Sequence, residues 1–190
     1  MLRTFAFLLG ILCCGAASAA DIRVVKTDAG DPVVIFDGPL VVGDDYTFVK
    51  AVSDLKKATI ELTSNGGETV PALFIGRLIR QRGYTTYTPM NAICASACAY
   101  IWLGGKTRII GQGAKIGFHT SYQMQNGVPV PSEEGNSLIG SYIAEMGYSF
   151  AVMSYVIHAP PKSMQWLTTE DSERLGLNSF IETEINPLPN

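Results

Sequence analysis

The sequence predicts a single α/β domain whose strands are joined mainly by parallel connections. Runs of β-branched and aromatic residues alternate with helical patterns, in the order strand, helix, strand, helix, strand. The chain has 190 residues, of which 47% are apolar and 16% are charged. This length and composition are typical of a folded domain with one core, and they exclude a disordered chain.

The first half of the chain supplies four of the predicted elements. They are a strand at residues 33–36, a helix capped by Asp44 or Asp45 that ends near Lys56 and Lys57, a strand in "ATIELTS", and a helix over residues 68–83. The helix over residues 68–83 is expected to pack through the face that carries Val70, Leu73, Phe74 and Leu78.

The second half continues the pattern. Strands are predicted in "YTTYT", "KTRII" and "AKIGFH", the last of them ending at His119. Residues 120–136 are polar and contain Gly and Pro, so they are predicted to form a long loop. Residues 137–158 are predicted to form one long helix, followed by a short capped helix in "TTEDSERLGL" and a last strand in "NSFIETEI".

Residues 1–20 have the features of a secretory leader. Arg3 precedes an apolar run over residues 5–14, and small residues follow it up to Ala20. The run is too short to span a bilayer. We therefore predict a signal peptide at 1–20, cleaved after Ala19 or Ala20, and a mature domain at 21–190 that is exported, with the periplasm as its expected destination.

Charge and cysteine content limit the partners and the compartment. The formal net charge is −3 and no basic cluster is present, so nucleic acid is not expected as a partner. Of four cysteines, Cys13 and Cys14 lie in the leader, and a membrane anchor through one of them is the alternative to release of a soluble chain. Cys94 and Cys98 remain, and on a helical turn their spacing permits a disulfide without requiring one. Two small buried thiols are the other interpretation.

The stretch "NAICASACAY" places Ser96 among small residues. Ala95, Ala97 and Ala99 allow the backbone to turn sharply at the start of a helix, which exposes the hydroxyl and directs the helix N-terminus at developing negative charge. Acyl transfer needs such a hydroxyl together with a base and oxyanion donors. A serine at a helix start is more often a cap or a close-packing residue, and that alternative stays open at this point.

The other candidate groups are two histidines and a glycine pair. His119 ends an apolar strand, and it is either a general base or a buried structural residue. His158 closes the predicted long helix, where a cation suits the helix dipole, and a structural role is expected for it. Gly66-Gly67 follows a strand and is either a simple turn or a backbone surface that a ligand approaches.

In their order and spacing, "TSNGG", "CASACA" and "KIGFH" resemble the Clp protease proteolytic subunit and its exported relatives, which share the crotonase-like fold. The resemblance extends from about residue 34 to residue 180 and includes "LTTEDSERLGLNSFI". It implies a repeated β-β-α superhelix. It also implies that Ser96 is the nucleophile, that His119 is the general base, and that the backbone N–H groups of Gly67 and Ala97 form the oxyanion hole.

Two positions depart from the family pattern. Asn65 stands where the glycine turn of the family has a proline. If Trp166 is the aromatic residue that precedes the last helix, Met164 occupies the position of the catalytic Asp. The third member of the triad is therefore missing from its expected place, and Asp171 and Ser163 are the candidates to orient His119.

The sequence thus predicts an exported, ATP-independent serine peptidase that forms an acyl-enzyme on peptides or unfolded segments. No metal, cofactor or ATPase partner is expected. Homo-oligomers are usual in the family, although the sequence identifies no interface. The alternatives are a weakly active or inactive member that binds peptides or a partner, an acyl-CoA enzyme of the crotonase type, and a Ser/Lys peptidase. The last would need Lys106 or Lys115 near Ser96.

Overall fold

The structure is a computed structural model of the chain, and it describes residues 19–177 and 179–182. The predicted leader lies outside the described residues, apart from Ala19 and Ala20. Over these two described ranges, no helix has both the length and the apolar character needed to cross a membrane.

Strands and helices alternate through most of the chain. The strands are β1 (Asp21–Lys26), β2 (Pro32–Asp37), β3 (Thr59–Thr63), β4 (Thr85–Thr88), β5 (Ile93–Ala95), β6 (Thr107–Gly111), β7 (Lys115–Phe118), β8 (Tyr122–Gln125), β9 (Val128–Pro131), β10 (Gln165–Trp166) and β11 (Ser179–Glu182). The helices are α1 (Asp44–Val52), α2 (Thr69–Arg82), α3 (Ala97–Gly104), α4 (Glu133–Glu145), α5 (Phe150–Val156) and α6 (Thr169–Arg174).

The main sheet has six strands in the order β1-β2-β3-β4-β6-β11. All of its pairs are parallel except β1 with β2. A second sheet has the order β10-β7-β5, with β5 parallel and β10 antiparallel to β7. The predicted single α/β domain with mainly parallel connections is therefore confirmed.

Helix α3 lies at the centre of the core, and all eight of its residues are buried. It packs closely against α2, because Gly104 approaches Gly76 so nearly that a Cβ at Gly104 would lie 2.7 Å from the Gly76 Cα. Such contact between two backbones needs glycine at the crossing. Ser96 immediately precedes this buried and closely packed helix.

Two expectations for the first helices were wrong in detail. Helix α1 begins after Gly43, whose φ of 98° only glycine adopts easily, and it ends at Val52 rather than near Lys56. Helix α2 does not bury Val70 and Phe74, which are 63% and 47% exposed. Its buried face instead combines the small residues Ala72 and Gly76, which allow close packing, with Pro71, Leu73, Ile75 and Ile79. A pattern of large apolar residues alone does not find such a face.

The region after His119 was also predicted incorrectly. The expected loop at 120–136 contains the hairpin of β8 and β9, turned by Asn126 and Gly127, whose φ angles are both positive. The expected helix at 137–158 is divided into α4 and α5, because Gly147 takes a φ of 78° between them. Strands β1, β5 and β10 were not predicted.

Candidate active site

Ser96 occupies a strained turn between β5 and α3. Its φ of 57° and ψ of −126° lie in a region that non-glycine residues rarely adopt, at a cost on the order of 1–3 kcal/mol. The Ser96 N–H donates to the Gly117 main-chain oxygen at 2.8 Å, and the Ser96 main-chain oxygen accepts from the Ala99 N–H at 3.0 Å. The hydroxyl makes no capping hydrogen bond. The turn therefore presents the Ser96 hydroxyl without using it as a helix cap.

The Gly66-Gly67 turn lies directly against Ser96. A Cβ at Gly66 would be 2.6 Å from the Ser96 Cβ and 3.0 Å from the Ala97 nitrogen. A Cβ at Gly67 would overlap the Leu40 carbonyl oxygen, and the Gly67 φ is 141°. Both positions therefore require glycine, because a side chain would push the turn away from the serine.

In the described part of the chain, the backbone hydrogen bonds of the glycine turn leave the Gly67 N–H without a backbone acceptor. The Leu40 N–H donates to the Gly66 oxygen at 2.9 Å, and the Glu68 N–H donates to the Leu40 oxygen at 3.0 Å. Among the residues that the structure describes, neither the Gly67 N–H nor the Ala97 N–H donates to another backbone group. Ala97 is the first residue of α3, where an N–H has no partner within the helix. Gly67 lines the same cleft as Ser96, and Ala97 follows Ser96 in the chain, so both N–H groups are candidates for an oxyanion hole.

His119 follows β7 and is 8% exposed. Its Nδ1 lies 2.8 Å from the Thr120 main-chain oxygen. Because a carbonyl oxygen only accepts, this bond requires a proton on Nδ1. In the neutral ring, Nε2 is then the unprotonated nitrogen, which is the form that a general base needs.

The backbone on which His119 depends is anchored on both sides. The buried Tyr100 hydroxyl lies 3.2 Å from the His119 main-chain oxygen. Burial raises the pKa of Tyr100, so this hydroxyl stays protonated and able to donate. On the other side, Thr120 Oγ1 lies 2.9 Å from the Ile157 oxygen and 2.7 Å from the Ala159 oxygen. The Thr120 N–H also donates to the Ala159 oxygen at 2.8 Å.

Ser96 and His119 line the same cleft, which has a volume of about 520 Å³. One wall is the glycine turn and the start of α2, and the other comes from β8. The other lining residues are Asn65, Gly67, Glu68, Thr69, Tyr100, Ser121, Tyr122, Gln123 and Met124. The wall from β8 was not predicted, although the Asn126-Gly127 dipeptide is a strong hairpin signal.

A disulfide spans the serine turn. Cys94 in β5 is bonded to Cys98 in α3, and their Cα atoms are 5.2 Å apart. Both residues are completely buried. The structure thus selects the bonded alternative of the two that the sequence left open.

The structure does not bring either candidate third residue to His119. The Asp171 carboxylate binds Arg174 at 2.7 Å and Tyr155 at 3.0 Å. The hydrogen bond from Arg174 is the main cause that lowers the pKa of Asp171. Ser163 lies in an exposed turn whose N–H donates to the Pro160 oxygen. Neither residue lines the cleft.

Met164 lies near the end of β7 that carries His119. In the antiparallel pairing of β10 with β7, Gln165 is opposite Phe118 and Trp166 is opposite Gly117. One further step in this register places Met164 opposite His119. An apolar side chain therefore stands where the family resemblance places an aspartate, and the Thr120 oxygen binds the imidazole instead.

The remaining candidates lie away from the cleft. Lys106 and Lys115 are exposed and do not line it, and the Lys115 ammonium lies over the Trp166 ring. His158 is exposed just beyond the end of α5. The geometry thus favours a Ser/His pair over a Ser/Lys pair.

This fold is that of the Clp protease-like α/β proteins, and the predicted resemblance is confirmed at the level of fold. No protein-family model matches the sequence, and no curated protein gives a significant match. Many solved structures share this fold, and three of them are compared with this chain below.

The first is a variant of 1510-N, a membrane-bound stomatin-specific protease. It has a TM-score of 0.62 and 22% identity, over 82% of this chain and 81% of that chain. The second is a ClpP1 variant from Listeria monocytogenes, with a TM-score of 0.59 and 20% identity over 80% of this chain and 92% of that chain. The third is another 1510-N variant in complex with a substrate peptide. It has a TM-score of 0.59 and 22% identity, over 82% of this chain and 76% of that chain.

Proposed function

We propose that this chain is an exported, ATP-independent serine peptidase that acts on peptides or unfolded segments through an acyl-enzyme. One observation carries the proposal. Ser96 sits on a strained turn with an unused hydroxyl, in the same cleft as a histidine whose Nδ1 proton is held by the Thr120 oxygen. Strained backbone at a cleft residue is typical of functional sites.

The proposed mechanism uses groups of this chain alone. The Ser96 Oγ attacks the substrate carbonyl carbon while His119 Nε2 takes the hydroxyl proton. The Gly67 and Ala97 N–H groups bind the oxyanion that forms. His119 then gives its proton to the leaving amine as the C–N bond breaks, which leaves an ester on Ser96. Water, deprotonated by His119, hydrolyses this ester and restores the serine.

The Thr120 oxygen replaces part of what a carboxylate would do. It selects the imidazole tautomer and holds the ring orientation, but it carries no full negative charge to stabilise the imidazolium. We therefore expect catalysis to be slower than in a site with a complete Ser-His-Asp triad.

Two features support export. Residues 1–20 have the composition of a secretory leader. The Cys94–Cys98 disulfide is of the kind that persists in oxidising compartments. In this proposal the mature chain lies in the periplasm, away from cytoplasmic ATPase partners.

Peptide substrates are supported by the cleft and by one comparison. The cleft is lined by residues of the glycine turn, the serine turn and strand β8. A similar structure, that of 1510-N, holds a substrate peptide. Assembly into a homo-oligomer remains a prediction from the resemblance.

The alternative function is peptide or partner binding without catalysis. Met164, which takes the place of a catalytic aspartate, favours it. The two functions differ in whether Ser96 reacts with an acylating or phosphonylating reagent.

The test is covalent labelling of the purified mature chain by a fluorophosphonate probe. We expect labelling of the wild type, its complete loss in Ser96→Ala, and a fall of at least about a hundredfold in His119→Ala. Ser163→Ala and His158→Ala are matched controls on exposed residues outside the cleft, and both should label like the wild type. Absence of labelling in a folded wild type would refute the peptidase and favour the binding function.

A further inference from the structure

We propose that the Cys94–Cys98 disulfide is a positioning device for the nucleophile, which holds the Ser96 turn in its strained conformation. This inference rests on the proposed function in so far as it concerns reactivity. The bond joins Cys94 in strand β5, two positions before the serine, to Cys98 in the first turn of helix α3, two positions after it. Ser96 lies at the midpoint of the closed loop.

The position of the bond indicates a local role. A disulfide stabilises a fold mainly by restricting the unfolded chain, and the effect grows with the length of the loop that it closes. Cys98 lies four positions after Cys94, so the bond encloses only the three residues 95–97. A bond that closes so short a loop contributes less to global stability than one that closes a long loop, and its direct restriction falls on the three residues that it encloses.

The disulfide acts together with two hydrogen bonds of the Ser96 backbone, from its N–H to the Gly117 oxygen and from the Ala99 N–H to its main-chain oxygen. Strand β5 is held by the Ala95 N–H, which donates to the Ser64 oxygen at 2.9 Å, and by its pairing with β7. Helix α3 is held separately by its burial in the core. Between them the Ser96 backbone is in a conformation that a free chain would leave. The disulfide is the covalent link that joins the two supports across this residue.

Burial makes the bond a permanent part of the site. Cys94 and Cys98 both have 0% exposure, so a reductant in solution reaches the sulfurs only if the core opens. Loss of the bond would let Ser96 relax and move its hydroxyl relative to His119. A displacement of about 1 Å in a catalytic group can reduce the rate on the order of a hundredfold.

The first experiment compares the wild type with Cys94→Ala/Cys98→Ala by the rate constant of fluorophosphonate labelling and by amide hydrogen exchange. Exchange is followed in a peptide that covers residues 93–99, with a peptide from β3 as the internal reference. We expect labelling to slow by at least about tenfold and exchange to accelerate in 93–99 only. Unchanged exchange in 93–99 would overturn the proposal, even if the melting temperature falls.

Two further arms keep the outcome decisive. If the double variant fails to fold, wild type that has been unfolded, reduced with a phosphine and refolded as the dithiol replaces it, because all side chains are then retained. Failure of this form to fold as well would assign the disulfide to the whole fold and overturn the local role. If the wild type does not label, the proposed function fails, but the exchange measurement still decides whether the bond restrains the turn.

Discussion

His119 Nδ1 lies 2.8 Å from the main-chain oxygen of Thr120. In a Ser-His-Asp site this proton would be held by a carboxylate, whereas here the partner is the backbone of the next residue. The Thr120 side chain is in turn bonded to the Ile157 and Ala159 oxygens, which join the end of α5 to the site. The orientation of the His119 imidazole is therefore set by a short chain of contacts with main-chain oxygens.

The first prediction concerns this chain of contacts. Thr120→Val keeps the shape of the side chain but removes its hydroxyl, so the Thr120 carbonyl loses one of its anchors. We expect labelling of Ser96 to slow several-fold and stability to fall by about 1 kcal/mol. Thr120→Ser restores the hydroxyl and should recover most of the rate. Equal labelling in the Val variant and the wild type, measured as second-order rate constants, would contradict this role.

The second prediction concerns the residue opposite the base. Met164→Asp places a carboxylate within the register of His119, where it can accept the Nδ1 proton and stabilise the imidazolium. We expect labelling to accelerate on the order of tenfold. Met164→Asn, which has a similar size without the charge, is the control and should not accelerate it. A rate that falls equally in both variants would show that this position does not reach the imidazole.

The third prediction concerns the glycine turn. Gly67→Ala brings a Cβ onto the Leu40 oxygen at a φ of 141°, which should displace the proposed oxyanion donor. We expect a fall in labelling of at least about a hundredfold and a loss of about 1–3 kcal/mol in the free energy of unfolding.

Gly127→Ala is the matched control for this change. Gly127 also has a positive φ, of 77°, but no atom lies within 4 Å of an added Cβ. Gly127→Ala should lose stability through backbone strain, but it should label at the wild-type rate. If both variants label equally, the Gly67 turn does not act in the site.

The fourth prediction separates Asp171 from catalysis. Asp171→Asn removes the charge that binds Arg174, while the cleft is left unchanged. We expect labelling to remain at the wild-type rate and the melting temperature to fall at neutral pH.

The pH dependence of this stability difference has a definite sign. The folded state lowers the pKa of Asp171 below its ordinary value of 3.8. The stabilisation from the charged carboxylate is therefore present in full above that value and is lost as the pH falls through the lowered folded pKa. The melting temperatures of wild type and variant should converge in acid. A gap that is constant from pH 7 to pH 2 would contradict this assignment.

The strands of the main sheet other than β1 were predictable because their signal is local. In β2, β3 and β6, runs of β-branched and apolar residues are bounded by Gly, Asp or Asn. This local pattern does not depend on how the strand is buried in the fold. The hairpin of β8 and β9 was missed because its polar composition resembles that of a loop. The division between α4 and α5 was missed because an apolar pattern continues through Gly147.

The sequence by itself determined the α/β fold, the order of the glycine turn, the serine and the histidine, and the absence of an aspartate at position 164. These features follow from residue types and spacing along the chain. Only the tertiary structure decided that Asp171 binds Arg174 and Tyr155, that the cysteines are bonded, and that the Thr120 oxygen holds the imidazole. The physical reason is that every residue has a main-chain carbonyl, so its role depends on where the fold places it and leaves no mark in the sequence.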